Sequence, residues 1–343
     1  MIPTVLLCYH SRPMSAGLFF RDGFRQAGCR VLVAGPSTPR VYGKPDGTEH
    51  EFPAEDFEAP TIELPNSGVD VRQVVEQAER MGHAIDLVTM VDQYDDFWLS
   101  GSAPPGTAFA YVCVENFGPL YVERLNASRP DKPYYMIAHA EAVPFPRADF
   151  SWLPFGFDPF IHPLLPTVAR TKAAVQIGTA YEPRPTVWNY LRAKFDDAPP
   201  CSQGEYLSGL AESASTLFGR TPSYRDMAVA CNQAFTALSS SNCDFSPMRT
   251  CEAYAMGSVL VSDDVPTIRA VLGPPLSEGG FWVAHDRTPE GHYRAVCQGV
   301  EAHSDIIDRG IAHVYRRHTY KHRAERILAD LGIQGACRMI AGA

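Results

Sequence analysis

The start of the chain alternates short apolar runs with a helical pattern, and this order limits the fold more than any other feature. An apolar run at residues 5–8 is followed by a polar loop to Gly17, a helical pattern over residues 18–27, Gly28 and a second apolar run at residues 31–34. Strand-sized apolar runs on either side of a helix that ends at glycine are typical of a parallel sheet. The sequence therefore predicts a doubly wound α/β domain.

The second half repeats this alternation. Strands are predicted at residues 173–177, 234–238, 258–262 and 281–284, and helices at residues 186–194, 251–255, 289–302, 304–315 and 320–331. Prolines between residues 154 and 166 indicate the crossover from the first domain to the second. We expect an α/β fold with two Rossmann-like domains that face each other across a cleft. The first spans residues 1–160, the second residues 161–318, and a C-terminal helix within residues 319–343 folds back onto the first.

Composition narrows the class of protein. The chain of 343 residues is long enough for two domains with full cores. Its formal charge of −9 argues against a broad surface for nucleic acid or anionic membranes. Nine cysteines without metal-ligand spacing, and an N-terminus without the pattern of a secretion signal, predict a cytoplasmic location.

The segment from Asp244 to Asp264 carries the strongest functional signal. Glu252 opens a short predicted helix that Gly257 ends, and Arg249 lies three residues earlier, on about the same side. A carboxylate in the first turn of a helix can accept hydrogen bonds from vicinal hydroxyls, and a guanidinium can bind a phosphate through its fork of donors. Ribose hydroxyls beside a diphosphate describe a sugar nucleotide.

This segment resembles the donor-binding motif of glycosyltransferases with the two-domain GT-B fold. It is most similar to the family 4 and the spore-protein-like glycosyltransferases. The second group has the pattern Arg-x-x-Glu-Ala-x-Ala-x-Gly, which residues 249–257 match, whereas the family 4 pattern has Glu where this chain has Asp244. Three further blocks resemble the spore-protein-like group in order: residues 153–159, residues 175–178 followed by Arg184, and residues 318–323.

The resemblance implies a set of donor-binding residues. Glu252 is expected to bind the ribose, Arg249 and Arg184 the diphosphate, and the backbone at Gly178 a phosphate, while Asp244 is expected near the transferred sugar. A nucleoside diphosphate sugar is then the donor substrate, and no cofactor or metal is expected. The alternatives are a helix-capping role for Glu252, a surface salt bridge for Arg249, a helix-start role for Arg184 and a turn at Gly178.

The first half offers candidates for the acceptor side. His10 follows the first strand, in the loop where inverting enzymes of this fold hold a catalytic base. His139 and Glu115 each follow a predicted strand and are further candidates for catalysis, with structural roles as the alternative. Gly17 either lets the loop approach a ligand or begins the helix.

Several functional hypotheses remain open from the sequence. The pattern of Asp244 and Glu252 favours a retaining reaction, while His10 suits inversion. The acceptor is unknown: a modified nucleobase in DNA, a protein or a glycan are alternatives, and the charge does not favour nucleic acid. A nucleotide-sugar epimerase or hydrolase of the same fold, and a non-catalytic protein that binds sugar nucleotides, are the other readings.

Overall fold

A computed structural model describes residues 2–12, 15–38, 40–43, 49–51, 58–92, 96–114, 118–135, 151–177, 184–197, 224–239 and 246–333. The chain divides into two compact units. The first contains Met1–Val41, Phe52–Phe155 and Thr319–Ala343, and the second contains Tyr42–Glu51 and Gly156–His318.

Strands and helices alternate along most of the described chain. The strands are β1 (Thr4–Cys8), β2 (Arg30–Gly35), β3 (Arg40–Gly43), β4 (Glu49–Glu51), β5 (Ile62–Glu63), β6 (Gly68–Asp70), β7 (Leu87–Asp92), β8 (Trp98–Ser100), β9 (Ala108–Cys113), β10 (Lys132–Tyr135), β11 (Ser151–Trp152), β12 (Lys172–Gln176), β13 (Ala234–Ser239), β14 (Val259–Asp263) and β15 (Val283–His285). The helices are α1 (Ala16–Gln26), α2 (Val71–Arg80), α3 (Gly118–Ala127), α4 (Arg184–Asp197), α5 (Tyr224–Gln233), α6 (Arg249–Ala255), α7 (Pro266–Leu272), α8 (Pro289–Arg317) and α9 (Tyr320–Asp330), with a 3-10 helix at Leu276–Glu278.

The first unit is built on a seven-stranded sheet in the order β11-β10-β9-β7-β1-β2-β5, in which all neighbours are parallel. Strands β1 and β7, in the middle of the sheet, are buried along their whole length. This burial explains why they are continuous apolar runs rather than alternating ones. In this unit β6 also pairs with β8 in a small two-stranded sheet. Strands β3 and β4, which lie mostly in the second unit, form another two-stranded sheet.

Helix α9 belongs to the first unit and packs against α1. The Tyr320 ring lies 5.2 Å from the ring of Phe19 and 5.1 Å from that of Phe20, measured between centroids. Thr319 and His322 form a capping box at the start of the helix, and Arg323 donates to the backbone oxygens of residues 154 and 155, at 2.6 and 2.9 Å. The basic block at residues 318–323 therefore includes capping and packing residues.

The second unit has a four-stranded parallel sheet in the order β12-β13-β14-β15. Helix α6 connects β13 to β14, and α4 and α8 pack against the same core. Both units are thus α/β with parallel sheets, as the sequence predicts.

The prediction of two helices at residues 289–302 and 304–315 is wrong, because α8 is one helix of 29 residues. Ser304, the first residue of the second predicted segment, does not break the helix, since a serine in a helix interior costs only a fraction of a kcal/mol. Gly310 lets α8 approach α6 closely, because a Cβ at this position would overlap the ring of Tyr254. Helix α8 thus packs closely against α6 and the sheet along its length.

The described helices include none that combines the length and the apolar character needed to cross a bilayer. Six of the nine cysteines lie in the described part of the chain, and each is a free thiol.

Candidate functional site

Helix α6 forms the centre of the candidate site. Six of its seven residues, from Thr250 to Ala255, are buried, because the helix is enclosed between the sheet and α8. Tyr254 donates from its hydroxyl to the backbone oxygen of Phe281 at 2.6 Å and so ties α6 to the segment before β15. Gly257 follows the helix with φ of 77°, a conformation that favours glycine, and allows the chain to turn into β14.

The structure brings Arg249 and Glu252 together. Arg249 Nη1 lies 2.9 Å from Glu252 Oε2, and His162 Nε2 lies 3.3 Å from the other carboxylate oxygen, Oε1. The side chain of Arg249 is 12% exposed, that of Glu252 4% and that of His162 0%. The three side chains form a buried cluster, here called the Glu252 cluster.

The charges of this cluster fix the protonation state of the carboxyl group. Burial alone would raise the pKa of Glu252, but the charges of Arg249 and His162 and the hydrogen bond from His162 lower that pKa to about 2. Glu252 is therefore an ionised carboxylate at neutral pH, and it can only accept hydrogen bonds.

The sequence reasoning missed His162. The motif at residues 153–159 that carries the resemblance ends three residues earlier, and a single histidine after a proline-rich segment gives no periodic signal. The link between His162 and the candidate site is visible only in the structure, through the contact of His162 with Glu252, which lies 90 positions further along the chain.

Two predicted residues of the first unit are placed around the end of β1. His10 Nε2 lies 2.7 Å from Thr38 Oγ1, so this histidine is part of a side-chain hydrogen bond. Gly17 is in the first turn of α1, and a Cβ there would overlap the ring of Tyr9. The close approach of α1 to Tyr9 gives Gly17 a packing role that needs no ligand.

Arg184 is the first residue of α4 and is half-buried. The helix packs through the buried side chains of Val187, Trp188, Leu191 and Phe195, which belong to the core of the second unit. The other predicted residues, Glu115, His139, Gly178 and Asp244, lie outside the described residues. Their roles stay predictions.

Within the part of the chain that the structure describes, there is no group of three or more histidine, cysteine, aspartate or glutamate residues able to hold a metal ion.

Comparisons with known proteins connect this geometry to a fold. Residues 204–329, somewhat more than a third of the chain, match a family model described as glycosyl transferase-like, and this region includes Arg249 and Glu252. No curated protein matches the chain in sequence.

Solved structures match almost the whole chain. A glycosyltransferase from Rickettsia africae ESF-5 is 10% identical, with 96% of this chain and 97% of that chain covered and a TM-score of 0.59. The chain has the GT-B glycosyltransferase fold. Sucrose-phosphate synthase from Thermosynechococcus elongatus is 12% identical, with 97% and 98% covered and a TM-score of 0.58. AviGT4, a glycosyltransferase involved in Avilamycin A biosynthesis, is 17% identical, with 99% of both chains covered and a TM-score of 0.57.

The resemblance inferred from the sequence motifs is therefore confirmed at the level of the GT-B fold, and the family match lies over the region that contains α6. Because these structures are only 10–17% identical to the chain, they show its fold and not its function.

Proposed function

We propose that this protein is a glycosyltransferase that moves a sugar from a nucleoside diphosphate sugar to an acceptor hydroxyl. The observation that carries the proposal is the Glu252 cluster: an ionised, buried carboxylate is paired with an arginine at the start of α6, inside the region that matches the glycosyl transferase-like family.

Glu252 and Arg249 suit two parts of a sugar nucleotide, the ribose and the diphosphate. A carboxylate has about four acceptor positions, and among the described residues each oxygen of Glu252 has one partner. One position on each oxygen remains, which suits the two vicinal hydroxyls of a ribose. In the reaction the bond between the anomeric carbon and the diphosphate breaks, and negative charge grows on the diphosphate. Arg249 is the candidate to stabilise that charge.

The remaining features of the reaction are proposals that rest on the sequence pattern. We favour retention of the anomeric configuration, and we propose that transfer needs no metal ion. If transfer instead inverts the configuration, His10 is the candidate to accept the proton of the acceptor hydroxyl. The acceptor itself is a protein, a glycan, a modified nucleobase or a small molecule.

A thermal-shift screen tests the donor site. The ligands are UDP-, GDP-, ADP- and dTDP-sugars, each measured with EDTA and with Mg²⁺. A ligand at 100 to 1,000 times its dissociation constant stabilises a protein by about 3–4 kcal/mol, so a binding donor gives a clear rise in melting temperature. We expect one nucleotide class to give this rise. No rise with any of them would overturn the proposal.

Variants locate the binding. Glu252→Gln keeps the size of the side chain but removes the ionised acceptor. Arg249→Lys keeps the charge but removes the forked donor. Both variants should abolish the rise in melting temperature. Glu278→Gln is the matched control, because Glu278 is an exposed glutamate of the same unit that also pairs with an arginine, Arg269, at 2.8 Å. A shift that survives in the Glu252→Gln protein places the donor elsewhere.

A further inference from the structure

His162 is the most deeply buried titratable side chain of the Glu252 cluster, and the proposed function gives it no role. We propose that His162 is a positioning residue: it fixes the orientation of the Glu252 carboxylate so that this group accepts the ribose hydroxyls of the donor. The inference rests on the proposed function and adds to it a residue outside the region that the family model matches.

The geometry divides the two carboxylate oxygens between two partners. Arg249 contacts Oε2 at 2.9 Å and His162 lies 3.3 Å from Oε1. The terminal torsion of a glutamate side chain has a broad energy minimum, so a single contact to one oxygen leaves the carboxylate free to turn. A second contact to the other oxygen removes that freedom. His162 thus supplies the constraint that Arg249 alone does not.

The backbone of Asp158 directs a proton of His162 toward Glu252. On the opposite side of the ring, His162 Nδ1 lies 3.2 Å from the backbone nitrogen of Asp158 and 3.1 Å from its backbone oxygen. A neutral ring that accepts from the backbone N–H carries its proton on Nε2, and a charged ring that donates to the backbone oxygen also carries one there. The remaining tautomer would place a lone pair against an ionised carboxylate and is disfavoured. The favoured states therefore direct the Nε2 proton toward Glu252 Oε1, which lies 3.3 Å away.

The segment that carries His162 is held at both ends. Asp158 Oδ1 accepts from the backbone nitrogen of Phe160 at 2.8 Å and closes a tight turn. Asn232 of α5 accepts from the nitrogen of Leu165 at 2.8 Å and donates to the oxygen of Pro163 at 2.9 Å. The imidazole is consequently placed by the fold, as a residue that orients another side chain must be.

A double-mutant cycle tests the inference. The probe is whichever of UDP, GDP, ADP and dTDP binds the wild-type protein most tightly, and its dissociation constant is measured by calorimetry. We expect His162→Leu to raise this constant about tenfold, the effect of one lost hydrogen bond to a charged group. His162→Gln should restore most of the affinity, because the glutamine amide can place an N–H near the position of Nε2.

The second arm of the cycle repeats His162→Leu in a Glu252→Gln background. If His162 acts through Glu252, the substitution should change the dissociation constant there by less than about twofold, whereas independent effects would multiply. His313→Leu is the control for general damage, because His313 is a histidine of the same unit whose Nε2 lies 2.8 Å from a backbone oxygen, that of Val271. It should leave the dissociation constant unchanged.

The outcomes separate the two proposals. If none of the four nucleotides binds, or if Glu252→Gln alone leaves binding unchanged, the proposed donor site is wrong and this inference falls with it. If Glu252→Gln weakens binding but His162→Leu does not, or if the two effects multiply in the double variant, only the positioning role of His162 is overturned.

Discussion

Each unit of the protein contains a buried carboxylate paired with an arginine, and the two pairs differ in where their partners come from. In the first unit Asp92, at the end of β7, accepts from the Tyr111 hydroxyl at 2.6 Å and from Arg124 Nη1 at 3.1 Å. These partners lie on the neighbouring strand β9 and on α3. In the second unit Glu252 has one partner on its own helix and another, His162, 90 residues earlier in the chain.

The difference bears on what each carboxylate is able to do. Burial and the charge of Asp92 raise the pKa of Tyr111 well above its ordinary value, so this hydroxyl is protonated at neutral pH and donates to Asp92. Asp92 is tied to the neighbouring strand β9 and to helix α3 of the same unit, as a structural ion pair is. Glu252 is instead oriented by two separate segments, which is the arrangement expected of a side chain prepared for a ligand. Four experiments test whether the two carboxylates differ in this way.

The largest effect is expected at the structural pair. Arg124→Met should lower the free energy of unfolding of the first unit by about 3–5 kcal/mol, because Asp92 would remain buried without its cationic partner. Urea denaturation measures the change. Arg129→Met, at an exposed arginine five residues later, should change it by less than about 0.5 kcal/mol. Equal effects of the two substitutions would contradict a structural role for the Asp92 pair.

The second experiment follows the acid dependence of the Glu252 cluster. The pKa of Glu252 in the folded protein, about 2, is below its ordinary value of 4.5, so the ionised group stabilises the fold above about pH 5 and loses this contribution as the pH falls toward 2. Between pH 6 and pH 3 the free energy of unfolding of the wild type should fall by about 2 kcal/mol more than that of Glu252→Gln.

Urea unfolding at both pH values gives this difference. Parallel pH profiles for the two proteins would mean that the ionised form of Glu252 is not favoured by folding, and the charge assignment of the cluster would be wrong.

A smaller effect is expected from Tyr111→Phe. The substitution removes one hydrogen bond to Asp92 and leaves Arg124 in place, so we expect a loss of stability of about 1.5–2 kcal/mol without a change in nucleotide affinity. Denaturation and calorimetry on the same preparation test both parts. A weaker affinity for the nucleotide would show that the Asp92 pair is coupled to ligand binding, and the contrast between the units would fail.

The smallest effect is expected from metal removal. If the Glu252 cluster binds the nucleoside diphosphate through side chains alone, EDTA should change its dissociation constant by less than about twofold. Calorimetry with EDTA and with Mg²⁺ is the measurement. A tenfold loss in EDTA would show that a metal ion takes part in binding.

The fold was largely predictable because its signals are local. Strands such as β1 and β14 are short apolar runs, and α1 ends two residues before Gly28, so their order alone indicates parallel α/β sheets. The prediction failed at α8, where residues 289–317 form one helix. Gly310 of this helix packs against the Tyr254 ring, a contact that the local sequence does not predict.

The candidate site was predictable only in part. The pairing of Arg249 with Glu252 follows from their spacing of three residues on one helix. The hydrogen bond of His10 to Thr38 and the packing of Gly17 on Tyr9 depend on contacts between elements. The spacing of residues in the sequence does not predict such contacts, because residues that are near in space can be far apart along the chain.

The alternation of strands and helices, the motif around Glu252 and the resemblance to glycosyltransferases could all be predicted from the sequence, because each is built from short local patterns. The burial and the ionisation of Glu252, and its contact with His162, follow only from the three-dimensional arrangement of the chain. The physical reason is that burial and charge act through space: the pKa of Glu252 depends on which charges lie within a few ångströms, and the fold brings His162 to that distance from 90 residues away.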